Sequence, residues 1–300
     1  MFLRLLSIVV GALLLAGCSD PDTAGTGSAE LGGGIDAPAL PSEWVDDPDC
    51  DPAAIGDDDG SLVAAYAVQD AQVVGVCAGE PDERLDAAWQ ELTAAVPAEQ
   101  LRALTVFAGY DDPDSDVAAF ATLLGESNDR FGVVVNLALA EEDPEELRLT
   151  LVHEVAHVFT QTPDQLDVDA DPAECTTFHN GNGCFVDGSL MAEWIDRFWS
   201  DDQLASLPDP TASAEADGDD PAAEERCSLD PGFLGAYAAS SPEEDFAESF
   251  SAFVFDLDVP AEVQPRLDFF AQHPELAAVR EHALADGRDR PTNNFDECGV

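Results

Sequence analysis

The spacing of apolar positions changes several times over the first half of the chain, and each change predicts a new element. Residues 61–78, SLVAAYAVQDAQVVGVCA, are two strand-like runs on either side of Gln69-Asp70, which predicts a hairpin. Residues 81–96 switch to a helical period that puts Leu85, Trp89 and Leu92 on one face. LTVFAGY (104–110) and FGVVVNLA (131–138) are short continuous apolar runs of the kind that form buried strands. Between them, residues 116–124 predict a short helix started by Ser115 or Asp116. Asp143-Pro144-Glu145-Glu146 then offers a capping carboxylate, a proline suited to a first turn, and acids at the positive end of a helix. The helix that starts here runs through TLVHEVAHVFTQ, residues 150–161.

After Pro163 the periodicity stops in an acidic, Gly-containing loop that lasts to Asp187. Residues 189–199 are helical, with Met191, Trp194, Ile195 and Phe198 inward. Residues 201–227 are rich in Ala, Asp, Glu and Pro and predict an exposed excursion. An amphipathic helix capped by Ser241 follows at 242–255. Two more helical pieces, at 260–270 and 274–285, lead into a loose tail held by Cys298. Strands in the first half and helices in the second make the fold class α+β.

The first residues, MFLRLLSIVVGALLLAGC, carry one positive charge at Arg4 and an apolar run from Leu5 to Leu15. That run is short for a membrane span and fits the core of a signal peptide. It ends in Leu15-Ala16-Gly17-Cys18, which resembles a bacterial lipobox. The resemblance implies removal of residues 1–17, lipidation of Cys18, and anchoring at the extracytoplasmic face of a cell membrane. Residues 18–43 are then a lipidated cysteine and a flexible linker, and residues 44–300 a single folded domain with an insertion at about 163–235. Six further cysteines in an exported chain predict three disulfides, with Cys175–Cys184 the one pair close in sequence.

Charge narrows the partners. The chain of 300 residues has 63 acidic and 11 basic side chains, a net charge of -52, and every basic residue is an arginine. Such a surface repels nucleic acid and anionic lipid, so a nucleic-acid function is excluded. Asp167, Asp169 and Asp171 alternate as in a calcium loop. However, Pro172 stands where that loop needs glycine and no glutamate closes it, which leaves a solvated acidic loop.

HEVAH, residues 153–157, is the segment with chemistry in it. On a helix His153 and His157 share a face and can present two imidazole nitrogens to one Zn²⁺ ion. Glu154 sits next round the helix, placed to take a proton from a water on that ion as general base. The flanks Leu151, Val152, Val155, Ala156, Val158 and Phe159 make the helix apolar on nearly all sides, so it is buried. Two histidines and a glutamate in such a helix are costly unless a metal or partner holds them.

A third protein ligand is needed, with the fourth position left open. Thr160 and Pro163 stand where a metzincin has glycine and histidine, so that class is excluded. His179, in the loop between Cys175 and Cys184, is one candidate. Glu244, in SPEEDFAESFSAFV, is another, with Glu248 one turn on to receive the ring N–H of a ligating histidine. A solvated acidic face is the alternative for both glutamates.

The whole constellation resembles the gluzincin zinc metallopeptidases, and within them the branch similar to the anthrax lethal factor catalytic domain. The residues that carry the resemblance are HEVAH, the segment Glu244-Asp245-Phe246-Ala247-Glu248-Ser249-Phe250, and Tyr237 seven residues before Glu244. It implies a zincin-like fold, a mixed sheet followed by the active-site helix and a mainly helical second half. It also implies His153, His157 and Glu244 as zinc ligands, Glu154 as base, Glu248 as partner of a ligating ring, and Tyr237 as donor to the oxyanion. An edge strand near residues 131–138 would pair with an extended peptide substrate. The insertion with Cys175, Cys184 and Cys227 departs from the pattern and bars any transfer of substrate preference. Two other functions remain open from sequence: a zinc-binding surface lipoprotein without turnover, and a surface scaffold whose HExxH is incidental.

Overall fold

The computed structural model describes residues 62–115, 117–125, 127–208, 221–292, 295 and 298. Cys18, the linker and Cys50 lie outside the described residues, so the lipobox and tether have no structural counterpart here. Among the described residues, no helix is long and apolar enough to cross a membrane.

Strands β1 (Leu62–Gln69) and β2 (Gln72–Gly79) form the expected hairpin. Its two-residue turn places Asp70 at φ 51° and Ala71 at φ 58°, the positive pair that matches the twist of the flanking strands. Helix α1 (Glu83–Ala95) is capped by Asp82 and leads to β3 (Leu104–Tyr110). Strands β4 (Ala119–Leu123) and β5 (Phe131–Asn136) complete a five-stranded sheet of order β2-β1-β3-β5-β4. Only β3 and β5 run parallel; the other pairs are antiparallel. The period-two pattern splits the side chains. Tyr66, Phe107, Val133 and Val135 join the main core under the helices, while Ala65, Val106, Ala108 and Val134 line a smaller cluster on the other face.

Two local expectations are corrected here. Residues 116–124 hold a strand rather than a helix. Ala119 to Leu123 pair residue by residue with Val135 to Phe131 of β5. The approach is held extended by Tyr110, whose hydroxyl donates to Val117 O at 2.7 Å, and by Asn136, whose Nδ2 donates to Asp112 O at 2.7 Å. A sheet edge in need of a partner outweighs the modest helix preference of alanine and leucine. In addition, β5 ends at Asn136, whose side chain caps a short helix α2 (Leu137–Glu142). With β3 on one side and β4 on the other, β5 is an interior strand, so the edge on this side of the sheet is β4 and the other edge is β2.

Helix α3 (Pro144–Thr160) begins with Asp143 accepting from the amides of Glu145 and Glu146, as its sequence predicts. It is buried along almost its whole length. The loop after it makes a two-strand ribbon, β6 (Leu166–Asp167) with β7 (Cys184–Phe185), stapled by the Cys175–Cys184 disulfide. Helix α4 (Leu190–Phe198) and the short α5 (Asp201–Ala205) follow. The segment 201–227 is not simply exposed. Its last part forms α6 (Pro221–Leu229), with Ala223, Arg226 and Cys227 buried, and Cys227 bonded to Cys298. Burial of one helical face draws this acid-rich stretch inward despite its polar average. Cys77 is also disulfide-bonded.

Helix α7 (Pro242–Val254) packs on α3, and Ser251 Oγ donates to Leu149 O at 3.1 Å between them. Its aromatic residues Phe246, Phe250 and Phe253 meet Phe159, Trp194 and Phe270 in one cluster. Helices α8 (Gln264–Ala271) and α9 (Pro274–Ala285) close that side. The architecture is therefore α+β, a mixed sheet followed by a mainly helical half.

Candidate metal centre

The site lies between α3 and α7, below the free edge of β4. One helical turn on α3 brings His153 and His157 together, their Nε2 atoms 3.0 Å apart. Ser241 caps α7 by accepting from the Glu244 amide at 3.2 Å, which sets the register that turns Glu244 toward them. Glu244 Oε2 is 3.0 Å from His153 Nε2 and 3.4 Å from His157 Nε2. No N–H is aimed at that oxygen, so these short distances are not hydrogen bonds. Two ring nitrogens and a buried carboxylate oxygen converge, all within 4.8 Å of one another.

That convergence fits a zinc ion. Ligand atoms about 2.0–2.1 Å from a tetrahedral zinc sit about 3.3 Å from one another. The three observed separations bracket this spacing, and two imidazoles with one carboxylate is the donor set of many catalytic zinc sites. His179, the other sequence candidate, is outside the cluster: its Nδ1 accepts from the Gly181 amide at 3.0 Å within its own loop.

The surroundings are built to hold these groups. Glu248, one turn along α7, places Oε1 3.1 Å from His153 Nδ1, the nitrogen facing away from the convergence point. The ring N–H is off the straight line to that oxygen. Glu154 is fully buried, and its Oε2 accepts from the Ala121 amide of β4 at 2.8 Å. Tyr237 is half-buried, its ring centroid 6.0 Å from that of His153. The structure thus gathers six of the seven sequence candidates of the described region, His153, Glu154, His157, Tyr237, Glu244 and Glu248, and leaves His179 apart.

Electrostatics agree with a cation-binding role. Burial alone would lower His153, but Glu244 and Glu248 outweigh it and hold the ring well above its ordinary value. Burial pushes Glu244 upward, yet His157 and His153 keep it below the usual carboxylate range. Burial raises Glu154 above its ordinary value, opposed by the two histidines. A buried pocket with three carboxylates calls for positive charge.

Sequence reasoning missed two supports. Asp245, fully buried beside Glu244, accepts from the indole N–H groups of Trp194 and Trp199 at 3.0 Å each and from Arg266 Nε at 2.8 Å. It ties α7 to α4 and α8. The only hint was an acid directly before Phe246, which in so acidic a chain carries little weight. The second is the backbone amide of Ala121, which no residue type signals.

No family model and no curated protein matches the chain. Among solved structures it is similar to a proposed zinc-binding metallo-peptidase from Bacteroides caccae, with 17% identity, a TM-score of 0.27 and 68% of this chain covered. The chain spans 65% of that protein's length. A likeness at that TM-score carries no argument, and the site stands on its own geometry.

Proposed function

We propose that this protein is a zinc-dependent endopeptidase of gluzincin type. The observation that carries the reading is the convergence of His153, His157 and Glu244 on one point, with Glu154 beside it. A zinc ion held there would supply Lewis acidity, lowering the pKa of a bound water and polarising the scissile carbonyl. Glu154, kept in place by the Ala121 amide, takes the proton of the attacking water and delivers it to the leaving amine. Glu248 restrains the His153 ring from the far side. Tyr237 donates to the oxygen that becomes negative in the tetrahedral intermediate. Tyr237 and the Glu244/Glu248 helix are also the features that favour the lethal factor-like branch.

The substrate proposed is an extended peptide. β4 carries the free edge next to Glu154 and can take such a chain as an added strand. The proposed setting is the extracytoplasmic face of a membrane, through lipidated Cys18. Fractionation of Cys18→Ala tests it: release into the soluble fraction is expected, and a variant still membrane-bound contradicts the anchor. A zinc-binding lipoprotein without turnover has no use for Glu154. Peptide-library cleavage by zinc-loaded protein, with Glu154→Gln as control, separates the two readings.

A further inference from the structure

The turn that carries Tyr237 is short and packed, with Ala238 and Ala239 fully buried. It passes into a single 3-10 turn, Ala238–Ser240, secured from within by Ala239 N to Gly235 O at 3.1 Å and Ser240 N to Tyr237 O at 2.9 Å. Turns of this kind have poor hydrogen-bond geometry and are short for that reason. Yet the turn has two tasks. Tyr237 stands at its start, against His153, and Ser241 at its end caps the helix of Glu244.

Arg226 reaches it from α6. The residue is 4% exposed. Its Nε donates to Ala239 O at 2.6 Å, and its Nη2 to Ser240 O at 3.3 Å. Its Nη1 donates to Ser206 O at 3.3 Å and to Ser206 Oγ at 3.1 Å, at the end of α5. One planar fork therefore joins the turn to a second segment, which the single ammonium of lysine cannot do. α6 is itself anchored by the buried Cys227, bonded to Cys298. Burying a guanidinium is costly, and here its donors go to the carbonyls two and three residues after Tyr237 and to Ser206.

We propose that Arg226 is a positioning residue: it fixes the 238–240 turn so that Tyr237 is held at the site before substrate arrives. This rests on the reading of the site as a peptidase with Tyr237 as oxyanion donor. The part of the insertion nearest Tyr237 is then a brace for the site.

The test is a double-mutant cycle on the full chain, using a peptide the parent cleaves. Arg226→Gln and Arg226→Lys are each made alone and in a Tyr237→Phe background, with zinc titration of every variant. Arg226→Gln is expected to lower kcat by about 10–100-fold, with KM and zinc stoichiometry near the parent's, because a small misplacement of a catalytic group costs that much. Arg226→Lys should fall between. In the Tyr237→Phe background either change should lower kcat by no more than about threefold, since the group it positions is already disabled. Fully additive losses, or a parental kcat in both Arg226 variants, overturn the proposal. If Arg226→Gln does not fold, Arg226→Lys decides by the same criterion. Hydrogen exchange on metal-free Arg226→Lys gives an answer independent of activity. Faster exchange confined to the amides of Ala239 and Ser240 supports the brace, and unchanged exchange there overturns it. A zinc-loaded parent that cleaves no peptide would sink the peptidase reading instead, and the exchange result would still decide whether Arg226 holds the turn.

Discussion

The backbone amide of Ala121 donates to Glu154 Oε2 at 2.8 Å, so the β4 edge of the sheet and the proposed general base are joined by one hydrogen bond. That amide points away from β5, to which Ala121 is otherwise paired in register. Proline at an outward-facing edge position removes no ladder bond. Ala121→Pro should therefore leave folding and zinc binding close to the parent's. Its kcat should fall by about 10–100-fold, the worth of a hydrogen bond to a charged group. A parental kcat in a folded Ala121→Pro would show that Glu154 does not need this donor.

The two glutamates of α7 should differ in kind. Glu244→Ala removes the oxygen that faces both ring nitrogens and leaves two imidazoles, so zinc should be largely lost at ordinary free metal levels. Glu248→Ala leaves the three converging atoms and only frees the His153 ring. Affinity or activity should then fall by roughly 10–100-fold, with metal still measurable at saturation. Zinc titration of both variants, with His179→Ala beside them, checks this. Full affinity in Glu244→Ala with loss in His179→Ala would move the ligand to the disulfide loop.

Alkaline stability reports on the sheet rather than the site. Burial pushes Tyr66 up to about 12, and its hydroxyl sits between the Asp82 carbonyl and amide. Burial likewise pushes Tyr110 up to about 12. The folded values lie above the unfolded value of about 10, so the folded state keeps the proton longer. The stability these groups contribute is complete below pH 10 and is lost as pH rises from 10 towards 12. Denaturant unfolding across that window should show the decline, and Tyr66→Phe should make it shallower. An identical slope in Tyr66→Phe would contradict the assignment.

How much of this was legible depended on how local each signal was. Two histidines four apart on a helix are neighbours whatever the rest of the chain does, so the HEVAH site could be read directly. The same holds for the caps of Asp143 and Ser241, which act within three residues. Glu244 lies on another helix, and its residue type was uninformative in a chain this acidic; pattern resemblance picked it out. β4 was misread as a helix because its strand state comes from β5, which the local sequence does not contain. Arg226 and Asp245 were invisible for a related reason. Their roles arise from carbonyls and indoles brought in from distant elements.

The central claim is that Glu154 acts as base on a zinc-activated water while taking no part in holding the ion. Peptide hydrolysis by zinc-loaded parent and by zinc-loaded Glu154→Gln, each with bound metal quantified, tests it most directly. The account predicts one zinc per chain in both proteins and a rate lower by about 10²–10⁴-fold in the variant. Equal rates for the two proteins, each carrying its zinc, would contradict it.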